Sequence, residues 1–203
     1  MKGSLKKANQ VRESVAKLLG IKLYLVGGAI RDSLLGREVK DYDFTTLLDP
    51  DQVEQKVREA GRRPYLIGKK FGTIGCKVQI EGGWKYIEIT TFRKEEYESG
   101  NRKPQVSFTA DIQTDLSRRD LTINAIALSP GGKIIDPFQG QDDLKKGIIR
   151  AVGNPKVRFK EDPLRILRAI RFSGKYDFEI ESQTAKKLTE TRFSLLRVSR
   201  ERW

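Results

Sequence analysis

Histidine is absent from the 203 residues. That removes histidine-activated nucleophiles, histidine general acid–base work and histidine metal ligation. Any chemistry has to run on carboxylates, Arg, Lys, backbone N–H groups or bound metal. A single cysteine, Cys76, excludes an internal disulfide and points to a reducing, cytoplasmic compartment. No long apolar run is present, so no spanning segment is expected. The first residues, MKGSLKKANQVRESV, lack the apolar centre of a secretory signal. Acidic residues are in deficit: 40 Lys and Arg stand against 27 Asp and Glu, a formal charge of +13. A chain this basic is expected to meet a polyanion, nucleic acid or an anionic membrane. No helix pairs a basic face with a large aromatic-rich apolar one, which argues against the membrane.

The length suits one domain with a real core, or one domain and a small second one. Ala8, Val11, Val15 and Leu18 recur at helical spacing, predicting an amphipathic helix over residues 5–19. Leu23 to Val26 reads as a short strand, broken by Gly27-Gly28 before a helix from Ala29 to Leu35 that Gly36 closes. Tyr42 to Thr46 is strand-like, and Asp49-Pro50 opens a helix that ends at Gly61. Ile74, Cys76, Val78 and Ile80 alternate with small and polar residues, turn at Gly82-Gly83, and return through Trp84 to Phe92 as a hairpin. Residues 93–104 are polar and predict a loop. Residues 112–120 predict a helix. Ala125 to Leu128 and Lys133 to Ile135 predict a second hairpin around Ser129-Pro130-Gly131-Gly132.

From Asp142 onward short helical segments are expected and strand signals vanish, placing a domain boundary near residue 149. Asp162-Pro163 starts a strong helix with Leu164, Leu167 and Ile170 on one face. Ser199 suits an N-cap, and the chain stops at Trp203 about one turn later. A helix that short has little reason to form alone, so the sequence reads as one completed by further residues or by another chain.

Five elements carry the chemistry. At Gly27-Gly28 the backbone can approach a phosphate, with Arg31 one turn further on; a plain tight turn is the ordinary alternative. Asp41 and Asp43 share one strand face while Tyr42 and Phe44 take the other. Two carboxylates on one face repel unless a cation sits between them, and oxygen ligands of this kind suit Mg²⁺. A solvent-facing strand edge is the competing reading. Glu88 lies on the polar face of its strand with Trp84, Tyr86 and Thr90; beside the Asp strand it would complete a three-carboxylate arrangement for two-metal, in-line phosphoryl transfer. The fourth element is Arg118-Arg119-Asp120 leading into Asn124. The last is Glu161-Asp162-Pro163-Leu164-Arg165 with Arg168 and Arg171, a row of guanidinium groups suited to phosphates or base edges. Asp162 also suits a simple N-cap role before Pro163.

The order of these motifs is similar to that of the class II tRNA nucleotidyltransferases and bacterial poly(A) polymerases: LYLVGGAIRDSLLGREVKDYDFTT, YIEITTFR, RRDLTINAIAL, IIDPFQGQDDLKKGIIR and RFKEDPLRILRAIRF. The resemblance spans residues 21 to about 180. It implies an α/β (α+β) fold: a palm-like nucleotidyltransferase head, residues 1–149, with a mixed, mostly antiparallel sheet and flanking helices, then a partial all-α neck, residues 150–203. It implies a triphosphate-binding turn at Gly27, Gly28 and Arg31, and a Mg²⁺-binding catalytic pair at Asp41 and Asp43. It makes Glu88 the third catalytic carboxylate, and Arg119 and Asp120, with Asn124, holders of the nucleotide. Asp162 and Arg165 would read the Watson–Crick edge of the incoming base, with Arg168 and Arg171 adding contacts. An aspartate accepts from an exocyclic amino group and an arginine donates, so cytosine and adenine fit one pair, while guanine and uracil do not.

The implied reaction adds C and/or A from CTP and ATP to a tRNA 3′ end. The alternatives are a poly(A) polymerase using ATP only, and an inert RNA-binding fragment. Two departures stand out. Phe71-Gly72-Thr73 replaces the family's frequent His-Gly-Thr. The loop after Phe92 reads Glu98-Ser99-Gly100-Asn101-Arg102-Lys103-Pro104 rather than an Asp-Gly-Arg-Arg-Pro-like run. It is not obviously shortened, which leans towards addition of the terminal A as well. The body and tail that grip tRNA are missing from the sequence, so they or a second polypeptide would complete the molecule.

Overall fold

The computed structural model describes residues 3–80, 82–98 and 104–198. Helix α1 (Gly3–Leu19) buries Leu5, Ala8, Val11, Arg12, Val15 and Leu19. The sequence placed Leu18 in that stripe, but Leu18 faces out and Leu19 packs inward. Strand β1 (Tyr24–Val26) leads into α2 (Gly28–Leu34), then β2 (Tyr42–Thr46). The Asp49 carboxylate accepts from the Gln52 N–H at 2.8 Å and the Gln52 side chain accepts from the Asp49 N–H at 3.2 Å. This reciprocal cap starts α3 (Pro50–Glu59). Next come β3 (Pro64–Tyr65), a 3₁₀ turn at Lys69–Phe71, and the long hairpin β4 (Thr73–Ile80) and β5 (Gly83–Thr91). Gly82 and Gly83 turn it with φ of 92° and 125°, a region where a side chain is strained.

Two expectations change here. Residues 93–104 were expected as loop, yet β6 (Arg93–Glu96) pairs antiparallel with β7 (Gln105–Phe108). The sequence signal fails because this strand alternates charge, not hydrophobicity: Arg93 pairs with Glu95 and Lys94 with Glu96 along each face. Residues 99–103 lie outside the described residues, as do Ser199 and Trp203. The helix expected over 112–120 is α4 (Ile112–Ser117) and ends sooner. Its continuation is drawn into pairing with residues 150–152, where Thr122 N–H donates to the Arg150 carbonyl and Val152 N–H to the Asp120 carbonyl.

The chain continues through a 3₁₀ turn at Thr122–Asn124, β8 (Ala127–Leu128), β9 (Ile134–Ile135) and α5 (Gly140–Lys146). It then forms β10 (Ile148–Ile149), α6 (Pro155–Glu161), α7 (Leu164–Tyr176), β11 (Glu179–Ile180) and α8 (Ser182–Thr191). Strands do not vanish after Asp142, since β10 and β11 pair in parallel; two residues apiece are too few to show a period.

The main sheet runs β3-β4-β5-β2-β1-β8-β9. Every neighbouring pair is antiparallel except β2 and β5, which run parallel. This is the mixed, mostly antiparallel α/β sheet expected. One face packs Ile74, Cys76, Val78, Ile87, Ile89, Tyr42 and Phe44 against Val11 and Val15 of α1 and Val53 and Val57 of α3. Each such buried aliphatic side chain contributes roughly 1.5–3 kcal/mol. The other face carries the polar side chains of β2 and β5.

Helix α7 differs from the sequence expectation. Its buried side is Arg165, Ile166, Ala169, Phe172 and Tyr176, whereas Ile170 is exposed. Pro163 and Asp162 start it: the Asp162 carboxylate accepts from Leu164 N–H at 3.2 Å and its carbonyl from Arg165 N–H at 3.0 Å. The N-cap of α7 is nevertheless Pro163, one residue later than expected, and Asp162 closes α6.

Candidate active site

The parallel β2–β5 pair settles where the carboxylates fall. Asp43 and Glu88 are direct register partners, and both are exposed while Tyr42, Phe44, Ile87 and Ile89 are buried. Asp41 precedes β2 by one residue. Although the Asp43 side chain reaches solvent at the cleft, the protein walls around it desolvate the carboxyl and push it above its usual range, and Glu88 and Asp41 push it further against the opposing pull of Arg119. Among the described residues no three His, Cys, Asp or Glu side chains form a metal-holding group of their own.

Gly27 sits at the end of β1 with φ 66° and ψ −131°, a conformation essentially restricted to glycine. A Cβ there would lie 3.2 Å from Arg119 Nη1, so the turn and the Arg119 guanidinium are in close contact. Arg119 is held by Asp115 at 3.3 Å, and its Nε is buried without a hydrogen-bond partner among the described residues. Burial lowers its pKa, countered by Asp115 and Asp43.

Arg31 is placed differently from a free cation. Its guanidinium grips both Asp32 oxygens at 3.0 Å and donates to Asn124 Oδ1 at 2.6 Å. It is buried and lies over the Phe172 and Tyr176 rings at 4.8 and 5.1 Å. Tyr176 donates to Asp32 at 2.7 Å. Arg31 thus ties the glycine turn to α7.

Asn124 also donates to Asp120 Oδ1 at 3.1 Å, and Arg168 Nε donates to Asp120 Oδ2 at 2.6 Å. Burial alone would raise the Asp120 carboxyl; Arg168 and Asn124 outweigh it and hold it below its usual value. Arg165 is buried, donating to Glu161 at 2.8 Å, the Arg118 carbonyl at 2.9 Å and the Tyr97 hydroxyl at 3.4 Å. A guanidinium has five N–H donors, and these contacts use three. Arg168 and Arg171 are exposed on the same helix.

All the candidate residues line one cleft of about 1040 Å³ between the open sheet face and α7. Ten Lys and Arg and eight Asp and Glu line it. The carboxylates of β2 and β5 and the arginines of α7 line the same cleft, the former suited to a cation and the latter to phosphate. The sequence reading missed Asp32, Tyr97, Glu95 and Arg93. Glu95 accepts from Arg93, Arg118 and Tyr97, and Arg93 also donates to the Phe71 carbonyl. Tyr97 comes from the stretch expected to be loop, so no pattern pointed to it. Asp32 was findable as the neighbour of Arg31.

A carboxylate pair on a mixed sheet, facing a cationic helix across a phosphate-sized cleft, defines a nucleotidyltransferase-type head. Residues 23–150 match the model of the Poly A polymerase head domain, and the chain belongs to that family. It is 44% identical over 184 residues to a CCA-adding enzyme of Geobacillus sp. (strain WCH70), covering 90% of this chain and 44% of that protein. It is 41% identical over 198 residues to the CCA-adding enzyme of Ligilactobacillus salivarius (strain UCC118), covering 97% and 47%. The Bacillus stearothermophilus CCA-adding enzyme in complex with CTP is similar over all of this chain and 47% of its own, with TM-score 0.81 and 36% identity. A tRNA nucleotidyltransferase complexed with a primer tRNA and an incoming ATP analog matches 94% of this chain and 53% of its own, with TM-score 0.70 and 35% identity. The chain spans about half the length of the curated relatives it matches.

Proposed function

We propose that this chain is the catalytic head, residues 1–149, and first part of the neck, residues 150–203, of a template-independent enzyme that adds C and A to the 3′ end of tRNA. The observation that carries the reading is the shared cleft, lined both by the β2–β5 carboxylates and by Asp162 and the α7 arginines Arg165, Arg168 and Arg171. A CCA-adding enzyme with CTP and a tRNA nucleotidyltransferase with primer tRNA and an ATP analog, both similar to this chain, support the substrates. An RNA 3′-oxygen attacks the α-phosphorus of CTP or ATP, the bond to the bridging oxygen breaks, and pyrophosphate leaves. Glu88 receives the 3′-hydroxyl end. Gly27, Gly28 and Arg119 hold the triphosphate, with Arg31 buttressing the turn. Asp120 and Asn124 position the nucleotide through Arg168, and Asp162 with Arg165 reads the base, Arg171 adding charge.

Asp41 and Asp43 hold Mg²⁺, which suits hard oxygen donors. The fit rests on placement: Asp43 is the direct ladder partner of Glu88, and Asp41 lies two residues before it at the mouth of the same cleft. When bound, the ion supplies charge neutralisation at the phosphates and activation of the attacking hydroxyl. The single cysteine fits a cytoplasmic setting.

The test supplies tRNA lacking its CCA end with CTP, ATP, or both, and sequences the product ends. Addition of CCA only when both nucleotides are present is expected. ATP-only tailing would make the chain a poly(A) polymerase; RNA binding without transfer would make it an inert fragment.

A further inference from the structure

The open face of the sheet continues past the carboxylates onto β5, β4 and β3, and it carries aromatic side chains. Trp84 and Tyr86 are 58% and 47% exposed, whereas the alternate residues Ile87 and Ile89 are buried. Going from Glu88 back along β5, Tyr86 and Trp84 share its face at steps of about 7 Å. Tyr86 is fixed there by a gap in the neighbouring strand: a Cβ on Gly75 would lie 2.0 Å from the Tyr86 hydroxyl. Gly75 is the register partner of Glu88, so the Tyr86 ring lies across the sheet towards the carboxylate. Tyr65 meets Tyr86 edge-on at 5.6 Å. Cations accompany the rings. The Arg62 guanidinium lies 5.1 Å over Trp84, and exposed Lys77 stands opposite Tyr86 in the ladder.

Topology says which substrate passes here. The glycine turn ends β1, Arg119 touches it, and Asp120 and α7 are tied to Arg31 behind it, whereas β4 and β3 lie on the opposite side of the Asp43–Glu88 pair from β1. An incoming nucleotide held by the first group leaves the second side for the attacking strand. We propose that the exposed face of β5, β4 and β3, with Trp84 and Tyr86 as stacking surfaces and Arg62 and Lys77 as phosphate contacts, guides the last unpaired nucleotides of the RNA being extended. Charge complementarity and continuity with the cleft favour RNA over a second copy of the chain. Stacking is tolerant of base identity, which suits a surface that must accept an end whose sequence changes after each addition. The proposal rests on the nucleotidyltransferase reading above.

The experiment measures binding of a labelled, single-stranded oligoribonucleotide to the whole chain by fluorescence anisotropy, beside a blunt duplex of equal length. Trp84→Ala and Tyr86→Ala should each weaken single-strand binding about tenfold, the middle of the range for loss of one stacked base. Trp84→Phe and Tyr86→Phe should restore most of it, and duplex binding should not change. Circular dichroism melts confirm that the variants fold. Unchanged single-strand affinity in folded alanine variants, or no single-strand binding by the parent chain, overturns the platform. So does a loss confined to self-association, which would assign the face to a second copy. CTP incorporation is scored separately: an inert parent chain that still binds single strands through Trp84 and Tyr86 sinks the enzyme reading and leaves the platform standing.

Discussion

Asp43 on β2 and Glu88 on β5 are direct partners in the one parallel ladder of the main sheet. Parallel pairing places both carboxylates on the open face, and Asp43 carries the consequence. Its pKa is raised by burial, then by Glu88 and Asp41. A carboxyl whose pKa is raised on folding costs stability above its unfolded value near 3.9. Asp43→Asn should therefore abolish nucleotide transfer yet leave the chain as stable as the parent or more so. Added Mg²⁺ should raise the melting temperature of the parent and not of the variant. Thermal melts with and without Mg²⁺ check both statements; a Mg²⁺ response that survives Asp43→Asn would remove this residue from the metal site.

Gly27→Ala should cost about 1–3 kcal/mol, because alanine at φ 66° and ψ −131° is strained. The new methyl would also press on Arg119 at 3.2 Å. CTP affinity should fall more than tenfold. Gly28→Ala is the comparison: its φ is not positive, so its stability loss should be smaller. Denaturant melts and CTP titrations of the two variants give the contrast.

Asp120 holds Asn124 and Arg168, and through Asn124 it reaches Arg31. Asp120→Ala leaves those donors short of an acceptor and should cost about 2–3 kcal/mol, discounted from the larger value of a fully buried pair because Arg168 is half exposed. The lowered pKa fixes the pH window. The contribution is present above the unfolded value near 3.9 and is lost as pH falls through the lower folded value. The stability difference between parent and variant should hold at pH 7 and shrink on acidification below pH 4, measured by urea melts across that range.

How far the sequence spoke depended on whether apolar alternation was involved. The β4–β5 hairpin was legible because Ile74, Cys76, Val78, Ile87 and Ile89 alternate with polar or small residues and Gly82-Gly83 marks the turn. The faces of Asp43 and Glu88 followed from the same period, but their adjacency did not, since only the parallel crossover brings β5 beside β2. The β6 strand was illegible because Arg93, Lys94, Glu95 and Glu96 satisfy each other with charge. Arg12 and Arg165 are buried against the expectation for arginine; each does so by hydrogen bonding, to Asn9 and Glu13 in one case and to Glu161 and the Arg118 carbonyl in the other. Arg31 was read as part of the triphosphate-binding turn, and its bond to Asn124, 93 residues away, is one that no local pattern records.

Tyr176 joins the glycine turn to α7, and its hydroxyl tests that link in isolation. Tyr176→Phe keeps the ring over Arg31 but removes the 2.7 Å bond to Asp32. A loss of about 1 kcal/mol is expected at pH 7. The tyrosine pKa is raised to about 12 by burial and then by Asp32, so the folded chain keeps this proton beyond the unfolded value near 10. Its contribution is complete below pH 10 and disappears as pH rises through about 12. The parent should lose stability between those values faster than the variant. If the link aligns α7 with the turn, Tyr176→Phe should also raise the KM for CTP by a few-fold with a smaller change in kcat, whereas a purely structural bond would lower the melting temperature and leave the KM where it is.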